Sequence, residues 1–72
     1  MIYTYQQLAN LDGSINQTQV KRLEDNALIP FDPANIDYQQ FKIEVADGAP
    51  LEDPDGNVMT QAEVDAFLKT IP

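Results

Sequence analysis

The stretch that decides the fold is residues 29–41, IPFDPANIDYQQF. Pro30 has no backbone N–H to donate to a sheet, so it indicates the end or the edge of a strand. The residues after it, Asp32-Pro33-Ala34-Asn35, combine side chains that cap helices with a proline that suits a first helical turn. The stretch therefore predicts a sharp corner that joins a strand to a helix.

The helix after this corner is predicted over about residues 36–47. Its large apolar side chains recur at i, i+3 and i+7, which places them on one stripe of a helix: Tyr38, Phe41 and Val45. Gly48 suits the residue that ends a helix, and Pro50 cannot continue one. The stripe gives this helix a face that can pack on a sheet.

Three strands are predicted before the corner, at residues 2–9, 15–23 and 27–29. The turn between the first two contains Asp12-Gly13, a pair that tolerates the positive φ angles of a tight hairpin. Apolar and polar residues alternate poorly over residues 15–23, so the register of the pairing stays open. A small sheet is marginal in water by itself, so we expect the helix to cover one of its faces.

The C-terminal segment, residues 51–72, is predicted to be an acidic linker followed by a short helix over about residues 61–70. Thr60 and Glu63 match the capping box that starts helices. The expected fold is a small single α+β domain. Residues 1–50 form a three-stranded antiparallel β-meander packed by one helix, and the linker and short C-terminal helix belong to the same domain.

The residue types limit the chemistry that the chain can perform. Its 72 residues include neither cysteine nor histidine, which excludes disulfides, thiol nucleophiles, zinc sites of the Cys/His type and imidazole bases. The three glycines stand singly, so there is no glycine-rich phosphate loop. The paired acids lie in turns or at a helix start, where water and the helix dipole keep carboxylates ionised. We therefore predict that the protein is not an enzyme and uses no cofactor.

The charge is strongly acidic, with 12 acids against four bases and a net charge of −8. Such a chain repels the phosphate backbone of nucleic acids and anionic lipid. No segment approaches the roughly 20 apolar residues of a membrane span, and the first residues lack the basic and apolar regions of a secretion signal. We expect neither a nucleic acid nor a membrane as partner, and we do not expect the chain to be secreted by itself.

A calcium site is a weak alternative for the acidic segment. Asp53, Asp55 and Asn57 fall at the first, third and fifth positions of an EF-hand loop, and Glu63 follows them. The loop is one residue short, and Val58 occupies the position of the usual glycine. A β-turn followed by the capping box accounts for the same residues without a metal. We therefore predict no metal site, with these four oxygen-bearing side chains as the weak candidate.

Two sets of side chains are candidates for contact with a protein partner. Alternation along residues 2–9 places Tyr3 and Tyr5 on one face of a strand. Aromatic side chains in so small a domain belong to the core by default, and among them we expect Tyr3 or Tyr5 to be partly exposed. The C-terminal helix carries an apolar stripe at i, i+3, i+4 and i+7, formed by Val64, Phe67, Leu68 and Ile71. This stripe faces either the body of the domain or another chain.

Residues 29–41 also resemble a family of short proteins encoded by tailed bacteriophages. The family pattern is I-P-x-D-P-A-N-x-D-Y/W-Q, followed by an amphipathic helix and a glycine-proline stop. Residues 11–15 and 22–27 are similar in kind to what these proteins carry before the motif. The resemblance thus covers about residues 1–50, and residues 51–72 lie outside it.

This chain departs from the family in the helix and at its end. Lys42 and Glu44 stand where the family usually has tryptophan and other large apolar residues. The stop, at residues 47–50, is shorter by about one residue. The motif itself joins a strand end to a helix start, so we interpret it as a structural signature.

The resemblance implies a phage setting, because members are often encoded near tail, tail-fibre or other virion genes. It implies a non-catalytic virion structural or assembly protein, associated with tail, fibre or capsid, that is present in multiple copies and contacts larger phage structural proteins. Its expected location is the virion, after synthesis in the host cytoplasm. The alternative, favoured by the seven acids and no base from Glu44 to Asp65, is a small acidic effector that binds a basic surface of a host protein.

Overall fold

The computed structural model describes residues 3–72, so Ile2, where the first strand is predicted to begin, lies outside the described residues. The chain forms a small mixed α and β domain, which confirms the predicted class. In chain order its elements are β1 Tyr5–Ala9, β2 Ile15–Arg22, β3 Ala27–Pro30, α1 Ile36–Ala46, β4 Leu51–Glu52 and α2 Gln61–Leu68.

The sheet has four strands in the order β3-β2-β1-β4. The first three form the expected antiparallel meander. The prediction of three strands is one short. The fourth strand, β4, lies at the other edge of the sheet, runs parallel to β1 and pairs Leu51 with Tyr5. Two residues are too few to show a period, and the turn residues on either side indicated a linker. Leu51 is fully buried, so this segment is part of the core.

The poor alternation of β2 has a structural cause. The pairing of β1 with β2 jumps from Gln7 opposite Val20 to Ala9 opposite Ile15, which leaves extra residues on β2. The Asn16 side chain accepts hydrogen bonds from the backbone N–H groups of residues 18 and 19, at 2.7 and 3.1 Å. This local turn forms a bulge in the strand, and a bulge interrupts the period of two.

The corner between β3 and α1 is built by two short polar side chains. Asp32 accepts a hydrogen bond from the Ala34 N–H at 3.0 Å and so closes a turn. Asn35 is the N-cap, and its Oδ1 accepts from the Tyr38 N–H at 3.0 Å. Pro33 therefore lies in the turn before the helix and not in its first turn, since the cap comes two residues later.

The core lies between one face of the sheet and the two helices. Val20, Ile29 and Leu51 enter it from the strands. Phe41 of α1 is fully buried, and its ring lies 4.9 Å from that of Tyr5 and 6.0 Å from that of Phe31, measured between centroids. Aromatic pairs at such distances contribute beyond their buried area, so Phe41 joins the sheet, the corner and α1.

Replacing Phe41 with alanine is expected to lower the free energy of unfolding by about 3–5 kcal/mol, because it opens a cavity at the centre of the core. Urea unfolding followed by circular dichroism measures this loss. The matched control is Ile43→Ala on the same helix, whose side chain is exposed and whose loss is expected to stay within about 0.5 kcal/mol. Equal losses for the two variants would contradict the orientation of α1.

Candidate functional site

The described part of the chain offers surfaces and not a pocket. Residues 3–72 enclose no cavity or cleft, and within them no group of three or more acidic side chains is placed to hold a metal ion. Neither α1 nor α2 has the length and hydropathy that a membrane crossing requires.

Tyr5 and Tyr3 differ in position. The prediction of Tyr5 as a contact side chain is wrong, because α1 covers the face of β1 on which it lies and the residue is fully buried. Burial, and then the charge and hydrogen bond of Glu44, raise the pKa of Tyr5, so its hydroxyl stays a neutral donor. Tyr3 is half-buried, packs edge-on against Tyr5 at 6.4 Å, and lies under the Arg22 guanidinium at 4.7 Å.

Glu44 is a buried acid at the edge of the core. Its Oε1 accepts hydrogen bonds from the Tyr3 N–H and the Tyr5 hydroxyl, each at 3.2 Å, and its Oε2 accepts from the Gln40 side chain. Burial by itself would raise the pKa of Glu44, but these hydrogen bonds outweigh it and hold the pKa below its ordinary value of 4.5. The carboxylate thus ties the start of the sheet to α1.

The Glu44→Gln substitution is expected to lower the free energy of unfolding at pH 7 by about 1–3 kcal/mol, because it weakens hydrogen bonds to a charged acceptor. A folded-state pKa below the unfolded value means that the stabilisation is complete above about pH 4.5 and is lost as the pH falls through the folded-state pKa. Urea unfolding between pH 3 and 7 should show the two proteins converging at low pH.

Asp47→Asn is the control for this experiment, because it removes one charge from an exposed position just beyond the same helix. We expect this variant to follow the wild-type protein across the pH range. A gap between wild type and Glu44→Gln that stays constant down to pH 3 would show that the charge of Glu44 does not stabilise the fold.

Arg22 is the basic partner in both ion pairs found among residues 3–72. Its guanidinium lies 2.8 Å from Asp25 and 3.7 Å from Asp37, and its side chain is only 16% exposed. The hydrogen bond to Asp25 raises the pKa of Arg22, so it stays charged. Within the described residues, the acids from Glu44 to Asp65 have no basic side chain within 4.0 Å. This segment therefore carries uncompensated negative charge.

Two of the four side chains of the weak calcium candidate, Asp53 and Glu63, accept hydrogen bonds within the fold. Asp53 Oδ1 accepts hydrogen bonds from the backbone N–H groups of Asn57 and Asp55, both at 2.9 Å. Hydrogen bonds, first that of the Asn57 backbone, hold the pKa of Asp53 below its usual range. Glu63 Oε1 accepts from the Thr60 N–H at 2.9 Å, and the reciprocal bond completes the predicted capping box. The structure thus forms the β-turn and cap that the sequence offered as the alternative to a metal.

The stripe of α2 faces its own domain. Val64, Phe67 and Ile71 are buried, and Leu68 is half-buried against the same core. The Phe67 ring lies 6.1 Å from that of Phe31, edge to face. The burial of this stripe corrects its prediction as a surface for a partner. The sheet and α1 leave one apolar side of the core open, and α2 closes that side. The first of the two alternatives for the stripe is the one that forms.

Phe67→Ala is expected to lower the free energy of unfolding of the isolated chain by about 3 kcal/mol or more, because the ring is part of the core. Thermal unfolding by calorimetry measures this effect in the absence of any partner. Asp65→Ala, on the exposed side of α2, serves as the control and is expected to change little. A Phe67→Ala variant as stable as the control would return the stripe to the candidate contact surfaces.

Large apolar side chains outside the two predicted contact sets are exposed: Leu11, Leu28, Ile36, Ile43 and Val58. The first lies at the tip of the β1–β2 hairpin, and the second points away from the core on β3. Ile36 and Ile43 both belong to α1 and are seven residues apart, so they lie on one face of the helix. That spacing was visible in the sequence, but the stripe at Tyr38 and Phe41 accounted for the helix without it.

Comparison of the chain with family models, with curated proteins and with solved structures found no match.

Proposed function

We propose that this chain is a non-catalytic protein that acts through contacts with other proteins, as a structural or assembly component of a bacteriophage virion, associated with its tail, fibre or capsid. The observation that supports a contact function is the combination of a filled core, no cleft within residues 3–72, and paired large apolar side chains outside the core on α1. Apolar side chains that share one exposed face are typical of a surface that meets a partner.

The phage setting rests on the resemblance of residues 29–41. In the structure the polar residues of that motif have architectural roles: Asp32 closes the turn and Asn35 caps α1. Pro30 ends β3, the strand at the edge of the sheet. A motif used in this way supports a shared fold. The contact surface of each such protein is then set by residues other than these three.

Quantitative mass spectrometry of purified particles of the phage that encodes the chain tests this function. We expect the 8.1 kDa chain at a fixed ratio to a major capsid or tail subunit, because a structural component occupies repeated, equivalent positions. Particles should keep this ratio after washing in high salt. Absence of the chain from clean particles and from their assembly intermediates would overturn the proposed function.

The uncompensated acids between Glu44 and Asp65 favour a second candidate, a small acidic effector that binds a basic surface of a host protein. Contact made mainly by exposed charges weakens steeply as salt rises. An effector is therefore expected to be absent from particles and to bind its target from host lysate in a strongly salt-dependent way. Retention in salt-washed particles would contradict this candidate.

A further inference from the structure

We propose that the outer face of α1, defined by Ile36, Gln39, Gln40, Ile43 and Ala46, is the docking surface for a partner protein. The partner presents a concave apolar surface with basic side chains at its rim. This inference deepens the proposed function, on which its choice of a protein partner rests. It concerns which face of the chain makes the contact and what chemistry meets it.

The geometry of α1 separates two apolar faces. Tyr38, Phe41 and Val45 are buried in the core, whereas Ile36 and Ile43 are 79% and 66% exposed. At 100° per residue the two isoleucines lie opposite the buried stripe, and the rise of the helix separates them by about 10 Å along its axis. They therefore share one exposed face of α1, about two turns apart.

On this face, the two side chains between the isoleucines are the uncharged Gln39 and Gln40, and both are held in place by hydrogen bonds. The Gln39 amide donates to the Pro33 carbonyl at 2.7 Å, and the Gln40 amide donates to Glu44. A surface whose side chains are ordered before binding loses less conformational entropy when a partner arrives. The outer face of α1 is thus apolar at two points and ordered between them.

The surroundings of this face are acidic. Asp32 and Asp37 lie exposed near the start of α1, and Asp47 lies exposed just after its end. The two nearest bases are engaged within the domain: Arg22 pairs with Asp25 and Asp37, and Lys42 donates to the Pro72 carbonyl at 2.8 Å. A partner that matches this pattern therefore carries basic side chains around an apolar centre.

The size of the face argues against a second copy of this chain as the occupant. A helix of 11 residues is about 16 Å long and 10 Å wide, which presents on the order of 200 Å². A stable dimer buries about 800 Å² on each partner. Two copies that each carry a net charge of −8 also repel one another. A larger partner whose surface curves around the helix gains the missing area from the acidic flanks.

Site-specific photo-crosslinking tests the proposal in the cells in which the protein is made. A photo-crosslinking amino acid replaces Ile43 in one variant and Leu28 in the control. Leu28 is also exposed, at 57%, but it neighbours the buried Ile29 on β3 and so points to the opposite face of the sheet. We expect position 43 to capture one protein that position 28 does not capture. The captured segment should combine apolar residues with nearby lysine or arginine.

A double substitution supplies the quantitative test. Ile36→Gln with Ile43→Gln is expected to weaken binding to the captured protein about tenfold or more, because it removes both apolar contacts. Leu28→Gln is expected to bind as the wild type does. Because all three side chains are exposed, we expect the variants to have the same midpoint of urea unfolding as the wild-type protein. Equal midpoints would show that the weaker binding results from lost contacts and not from unfolding.

The outcomes separate the docking surface from the proposed function. No product from position 43, equal products from both positions, crosslinks only between copies of this chain, or a captured segment without bases would each overturn the docking surface, even if the chain is present in particles. Capture from position 43 of a protein that is not a virion or assembly component supports the surface and overturns the phage function.

Discussion

The contact on which the rest of the structure depends is the packing of Phe41 against Tyr5 and Phe31. It joins the first strand to the corner and to the helix that follows the corner, although Tyr5 lies 36 residues before Phe41 in the sequence. A domain of 72 residues has little apolar surface to bury, so a few large rings must carry much of its stability. The corner at residues 32–35 sets the direction of α1, and this direction brings Phe41 over the sheet.

Glu44 shows how a small core can contain a charge. One turn after Phe41, the helix reaches the edge of the core, where the Tyr5 hydroxyl and the Tyr3 N–H need an acceptor. A large apolar residue at this position would leave the buried hydroxyl of Tyr5 without this acceptor. The carboxylate also accepts a hydrogen bond from the segment before β1 and so joins that segment to α1. The same acidic side chain thus carries a negative charge and stabilises the fold.

The two apolar faces of α1 connect the fold with the proposed role. A helix needs only one apolar face to cover a sheet, and Tyr38, Phe41 and Val45 supply it. The opposite pair, Ile36 and Ile43, adds nothing to the core. The single apolar stripe of α2 packs within the domain, where it closes the side of the core that the sheet and α1 leave open. The two helices thus differ in where their apolar side chains lie, although both are short and pack on the same core.

The sequence by itself determined the elements whose signals are local. The cap before α1, the capping box of α2, the turn at Gly13 and the three-stranded meander depend on neighbouring residues, and each is visible in the order of side chains. Only the tertiary structure decided what depends on distant parts of the chain. The pairing of Leu51 with Tyr5 across 45 intervening positions along the chain joins β4 to β1, and the burial of Tyr5 and Phe67 follows from which elements cover them. A periodic pattern shows that a helix or strand has an apolar face. Only the packed chain shows whether that face meets the protein's own core or the solvent.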